Sequence, residues 1–139
     1  MRELFREFER SAGDSLDAAE FERELGALPH PYAPPEGWIL VAVLGKIPAG
    51  CLAARRIDAR RCEFRRLYVR PVFRGAGLGG LLLKRAVERA REAAYREVVI
   101  EAMPRMRGAR YLYEGLGFMP CAPYLGKPTP GADAYLLTL

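Results

Sequence analysis

Arg74-Gly75-Ala76-Gly77-Leu78-Gly79-Gly80 sets an arginine and four glycines between a strand-like run and a helix-like run. Glycine loses more backbone freedom on folding than any other residue, so this many in one turn point to a loop with a task. The first N–H groups of a helix have no internal partners and stand at the positive end of its dipole. Glycine lets an anion reach those donors without a Cβ in the way, and Arg74 can add a charge-assisted contact. The chemistry this stretch can do is therefore phosphate or pyrophosphate binding. A net charge of +5 and a pI of about 9.4 also suit an anionic ligand.

Two kinds of phosphate site fit that loop. Gly75, Gly77 and Gly80 satisfy G-x-G-x-x-G, and Glu101 stands where a dinucleotide's ribose partner would. The surroundings oppose a dinucleotide site. A first Rossmann strand is buried on both faces and reads as unbroken Val, Ile and Leu, whereas the run EFRRLYV at 63–69 is charged. Too little chain follows Glu101 for a second mononucleotide half.

Periodicity supplies the elements that must hold the loop. Leu4, Phe5, Phe8 and Ala12 recur at helical spacing. Asp17 and Glu20 make a capping-box pattern for a second helix, with Leu16 and Phe21 at staple positions and Phe21, Leu25 and Leu28 as its buried stripe. Residues 29–37, PHPYAPPEG, form a rigid loop that could cover a site. The runs 38–44, 47–57 and 62–69 read as strands joined by turns, an antiparallel meander. Strict alternation in the third puts Glu63, Arg65, Leu67 and Val69 on one face and Phe64, Arg66 and Tyr68 on the other. Residues 78–94 give the strongest helix, with a stripe of Leu78, Leu82, Ala86, Ala90 and Ala94 widened by Leu81, Leu83 and Val87. A strand at 97–103, a helix at 105–116 stopped by Gly117 and a strand at 132–139 follow. The expected fold is α/β (α+β): one domain over residues 1–139, with a mixed, mostly antiparallel sheet flanked by helices.

Composition excludes several classes of function. No apolar run reaches the roughly 18–20 residues that span a bilayer, and the charged N-terminus lacks the apolar centre of a signal peptide. Cys51, Cys62 and Cys121 are odd in number without C-x-x-C spacing, and His30 is the single histidine. Neither a disulfide framework nor a metal site is expected, and a reducing cytoplasm is the expected setting. Arg55, Arg56, Arg60, Arg61, Arg65 and Arg66 form a basic run, but it straddles strands and a turn without a recognition element. Nucleic acid is therefore not the expected partner.

Arg74-x-x-Gly77-x-Gly79, after a strand and opening a long helix, resembles the coenzyme A signature R/Q-x-x-G-x-G/A of the GNAT superfamily of N-acetyltransferases. CEFRRLYVRPVFRGAGLGGLLLKRAVERAR resembles that family's central segment, and ARYLYEGLGF its Y-x-x-x-G-F helix end; the likeness extends over residues 37–139. It implies a GNAT-like fold, acetyl-CoA as co-substrate, and direct acetyl transfer to a primary amine of a small molecule or peptide. It also implies that Arg74, Gly75, Ala76, Gly77, Leu78 and Gly79 cradle the pyrophosphate, and that the backbone of Leu67, Tyr68 and Val69 runs along the pantetheine arm. Lys84 and Arg110 are offered for the adenosine phosphate.

Direct attack needs a neutral amine and a proton for the departing thiolate. The likeness assigns Tyr113 as the acid and Glu63, eleven residues before Arg74, as the base. An ion pair with Arg65 or Arg105 is the other reading of Glu63. Glu101 is a reserve base or a binder of the amine. Tyr32, Tyr124 and Tyr135 could line the acceptor pocket or pack. Two departures stand out: the family's strand ahead of the first helix is missing from the pattern, and Met106 occupies a position where the family often has Asn. They keep open a coenzyme A-binding regulatory module without transfer activity. A polyamine, an amino acid, an antibiotic and a protein N-terminus all remain open as acceptors, and a homodimer as the assembly.

Overall fold

The structure, a computed structural model, describes residues 1–13, 17–106 and 108–139. Two helices open it. Helix α1 (Arg2–Ala12) buries Leu4, Phe5, Phe8 and Ala12, the stripe its spacing predicts. Helix α2 (Ala18–Ala27) is capped by Asp17, whose carboxylate accepts the Glu20 N–H at 3.1 Å. Phe21 and Leu25 are buried, whereas Leu28 falls at the C-cap and is only half-buried. The staple residue Leu16 lies outside the described residues.

Strands β1 (Trp38–Leu44), β2 (Ile47–Arg56), β3 (Arg61–Val69), β4 (Glu97–Ala102), β5 (Met119–Cys121) and β6 (Asp133–Thr138) form one sheet in the order β1-β2-β3-β4-β6-β5. Every neighbouring pair is antiparallel except β3 with β4, which α3 (Leu78–Glu92) connects as a crossover. Helix α4 (Gly108–Gly115) follows β4. Strand β5 was not predicted, because three residues are too few to show an alternation. Helix α3 buries Leu82, Leu83, Ala86, Val87 and Ala90. Leu81, expected to widen the stripe, is exposed, and the helix stops at Glu92 because Ala94 turns the chain with φ 65°.

The sheet separates two apolar layers. Leu52, Ala54, Cys62 and Phe64 pack with α3 and Tyr113 on one face. Cys51, Ala53 and Tyr68 pack with Phe5, Phe8 and Phe21 on the other. Strict alternation along β3 is thereby corrected: Phe64 and Tyr68 lie on opposite faces. The register with β2 slips between Cys51↔Tyr68 and Ala53↔Arg65, so Arg66 and Leu67 together oppose Leu52. This is a β-bulge, with Arg66 at φ 59°. One extra residue reverses the parity beyond it and turns Leu67 and Val69 toward the α3 layer.

Candidate active site

β3 and β4 pair only as far as Phe64↔Ile100. Beyond that point they part, and a cleft of about 560 Å³ opens beside the gap. Leu67, Tyr68 and Val69 form one wall, Arg74, Gly75, Gly77, Leu78 and Gly79 the end, and Met106, Ala109 and Leu112 the other wall. The Arg70 N–H is bonded to the Ala49 carbonyl at 2.8 Å, so alternation turns the N–H of Val69 away from β2, toward the parted side.

Gly75 and Gly77 have φ of 84° and 83°, and a Cβ on either would meet nothing within 4 Å. The open space there is what an approaching anion needs. Leu81 is the first residue of α3 to bond back, to the Gly77 carbonyl at 3.0 Å. The N–H groups of Leu78, Gly79 and Gly80 are left for an external acceptor. Arg74 donates through Nε to the Val69 carbonyl at 2.7 Å and lies over the Tyr68 ring at 5.5 Å. That bond ties the loop to the end of β3 while the rest of the guanidinium borders the cleft. These features fit a pyrophosphate. Ala76 is exposed and does not line the cleft. Nor do Lys84 and Arg110, the latter paired with Asp133; Arg105 lines it instead, brought there by the turn before α4.

A small chamber of about 30 Å³ adjoins the cleft and shares Leu67 and Met106 with it. Glu63, Glu101, Tyr113 and Thr129 are among its walls. Tyr113 is buried against Phe118 and Tyr135, with ring centroids at 5.8 and 5.7 Å. Burial, and then Tyr135, push its pKa up, so the phenol keeps its proton. Its hydroxyl has no hydrogen-bond partner among the described residues. Glu63 is 1% exposed and fully engaged: Arg55 Nε donates to Oε1 at 2.7 Å and the Tyr124 hydroxyl to Oε2 at 2.7 Å, with Arg65 Nε 3.6 Å from Oε1. Arg105, the other partner considered from sequence, takes no part. Burial, and then the charge and hydrogen bond of Glu63, push the Tyr124 phenol up as well. Glu101 accepts from the Thr129 N–H at 3.2 Å and its hydroxyl at 2.8 Å.

Of the three tyrosines offered for the acceptor pocket, Tyr124 bonds the chamber carboxylate Glu63, whereas Tyr32 and Tyr135 lie in the interior. Tyr32 is buried against Phe5 and bonds Glu24, and Tyr135 is buried beside Tyr113. Both are packing residues. Five of the six arginines of the run are paired: Arg55, through Nε alone, to Glu63, Arg56 to Glu36, Arg61 to Glu97, and Arg65 and Arg66 to Glu24. A strip of paired guanidiniums is a poor phosphate-backbone surface. Sequence reasoning missed the Arg66–Glu24 pair at 2.8 Å, which joins α2 to the bulge.

The family described as Acetyltransferase (GNAT) family matches over residues 1–118. The match takes in α1 and α2, which the motif resemblance left out. An uncharacterized N-acetyltransferase of Schizosaccharomyces pombe is 33% identical over 129 residues, which is 91% of this chain and 79% of its own. A GNAT-family acetyltransferase from Staphylococcus aureus has the same fold, with a TM-score of 0.83 at 17% identity over 98% of this chain and 91% of that one. A GNAT-family acetyltransferase from Elizabethkingia anophelis, solved with acetyl-CoA bound, gives a TM-score of 0.68 at 20% identity over 88% and 84%. With the family match spanning both helices, the bulged strand, the glycine loop and Tyr113, the chain belongs to the GNAT family of acetyltransferases.

Proposed function

We propose that this protein transfers an acetyl group from acetyl-CoA directly to a primary amine. One observation carries the reading: the glycine loop, the bulged strand and a buried, protonated tyrosine converge where β3 and β4 part. Bound acetyl-CoA supplies a thioester, so a C–N bond forms as a C–S bond breaks. The N–H groups of Leu78, Gly79 and Gly80, with Arg74, hold the pyrophosphate. The N–H of Val69 faces the thioester carbonyl and favours the negative charge that develops on its oxygen.

Tyr113 gives its proton to the departing thiolate. Of the two chamber carboxylates, Glu101 has no guanidinium partner among the described residues. It holds the incoming ammonium and takes its proton. Glu63 keeps Arg55 and Tyr124 in place and reaches the amine only through the Tyr124 hydroxyl.

Thermal unfolding with acetyl-CoA, free coenzyme A, NAD or no ligand tests the binding half of this reading. A ligand at about 100 times its Kd stabilises by about 2.7 kcal/mol, which for a chain of this size raises Tm by about 5–15 °C. Both coenzyme A species are expected to give that rise and NAD none. A rise with NAD alone would return Gly75, Gly77, Gly80 and Glu101 to a dinucleotide site.

A further inference from the structure

Between α2 and the loop 125–130 lies a second opening of about 240 Å³. It shares Arg65, Arg66 and Thr129 with the small chamber, which in turn shares Leu67 and Met106 with the cofactor cleft. Through these shared walls the three spaces neighbour one another in series beside the parting of β3 and β4. The coenzyme's cleft is at one end and this opening at the other.

The floor of the opening is arginine. The side chains of Arg55, Arg65 and Arg66 are 27%, 19% and 5% exposed, and they share two carboxylates, Glu63 and Glu24. Arg55 commits only its Nε, to Glu63; its two terminal nitrogens have no acceptor among the described residues. Lys127 adds an ammonium at the exposed rim. Asp17 and Glu20 also stand at the rim, both exposed, and the Asp17 charge faces that of Lys127. A half-buried guanidinium with its fork free matches a carboxylate two-fold.

From this we infer that the acceptor is a carboxylate-bearing amine, which enters between α2 and the loop 125–130, sets its carboxylate on Arg55 and presents its amine to Glu101 and Tyr113. The inference rests on the acetyl-transfer reading and narrows its acceptor to amines that carry a carboxylate.

The test is release of coenzyme A thiol by the full chain with saturating acetyl-CoA. The acceptors are the common L-amino acids, each beside its carboxamide, together with spermidine. At least one acid is expected to turn over, with kcat/KM for its carboxamide lower by at least about tenfold, because a site built for a group rejects the analogue that lacks it. Arg55→Met should erase that gap by raising KM for the acid while KM for acetyl-CoA stays the same. Arg55→Lys, which keeps a cation beside Glu63 but removes the two-pronged fork, should narrow the gap in the same direction and decides the matter if Arg55→Met does not fold. Preference for spermidine or the carboxamides overturns the inference, as does a gap that survives both substitutions. Failure of every acid while coenzyme A still raises Tm overturns the acceptor class alone. Failure of coenzyme A to bind overturns the acetyltransferase reading beneath it.

Discussion

Tyr113 shows how burial keeps a phenol protonated. The ring sits between Phe118 and Tyr135, and desolvation holds the phenol neutral through the region near pH 10 where a free tyrosine ionises. Tyr113→Phe keeps the ring and its packing but removes the proton. It should lower kcat by about 10²–10⁴-fold while calorimetry finds coenzyme A binding unchanged. Equal loss of binding would make Tyr113 a structural residue. The two carboxylates separate in the same assay. Glu101→Gln should cut kcat more than Glu63→Gln, whose main effect is to leave Arg55 without its partner. The reverse order would make Glu63 the base.

The element that shapes the site is the bulge in β3. Arg66 holds φ 59°, a conformation that costs a non-glycine residue about 1–3 kcal/mol and persists only when its surroundings enforce it. Here the guanidinium lies over Phe8 and Phe21 at 5.3 and 5.0 Å and meets Glu24 at 2.8 Å. Burial drives the Glu24 carboxyl upward, yet the Arg66 and Arg65 charges hold it below the ordinary range. Helix α2 therefore clamps the residue that turns Leu67 and Val69 into the cleft. Glu24→Gln strands buried guanidiniums and should cost about 3–5 kcal/mol, read as a lower midpoint in urea or heat, with weaker coenzyme A binding in the protein that stays folded. A stability change below about 1 kcal/mol, the range of an exposed pair, would show that α2 does not hold the bulge.

The molecule as a whole keeps several weak acids buried and neutral. Desolvation pushes the Cys51 and Cys62 thiols up to about 12, and burial raises Tyr32, Tyr113 and Tyr124 as well. In each case the folded pKa lies above the unfolded one. Their contribution is complete below the unfolded values and drains away as pH rises from those values toward the folded ones. Each such group removes about 1.4 kcal/mol per pH unit within its window. Stability should hold near neutrality and fall steeply above about pH 9, thiols first and phenols from about pH 10. Thermal unfolding across pH 7–11 checks this, and a flat profile to the alkaline end would refute it.

Sequence alone determined the parts whose causes are local. The meander of β1, β2 and β3 was legible because alternation and turn chemistry act over a few residues, and α3 because its stripe repeats over four turns. The Asp17 cap and the glycine loop could be read because each uses backbone groups next to its own side chains. Tertiary structure decided what depends on register and on partners distant in sequence. The slip at Arg66 follows from packing Phe64 and Tyr68 against opposite layers, which no alternation rule along β3 can contain. Tyr32 packs in the core and Tyr124 bonds Glu63 although both sit in proline-rich loops, because only the fold brings Phe5 and Glu24 to one and Glu63 to the other. The free fork of Arg55 beside a committed Arg65 is likewise a property of which carboxylates the sheet and α2 deliver there. Spacing along the chain carries side-chain direction for a few residues; beyond that, close packing of the two layers sets the partners.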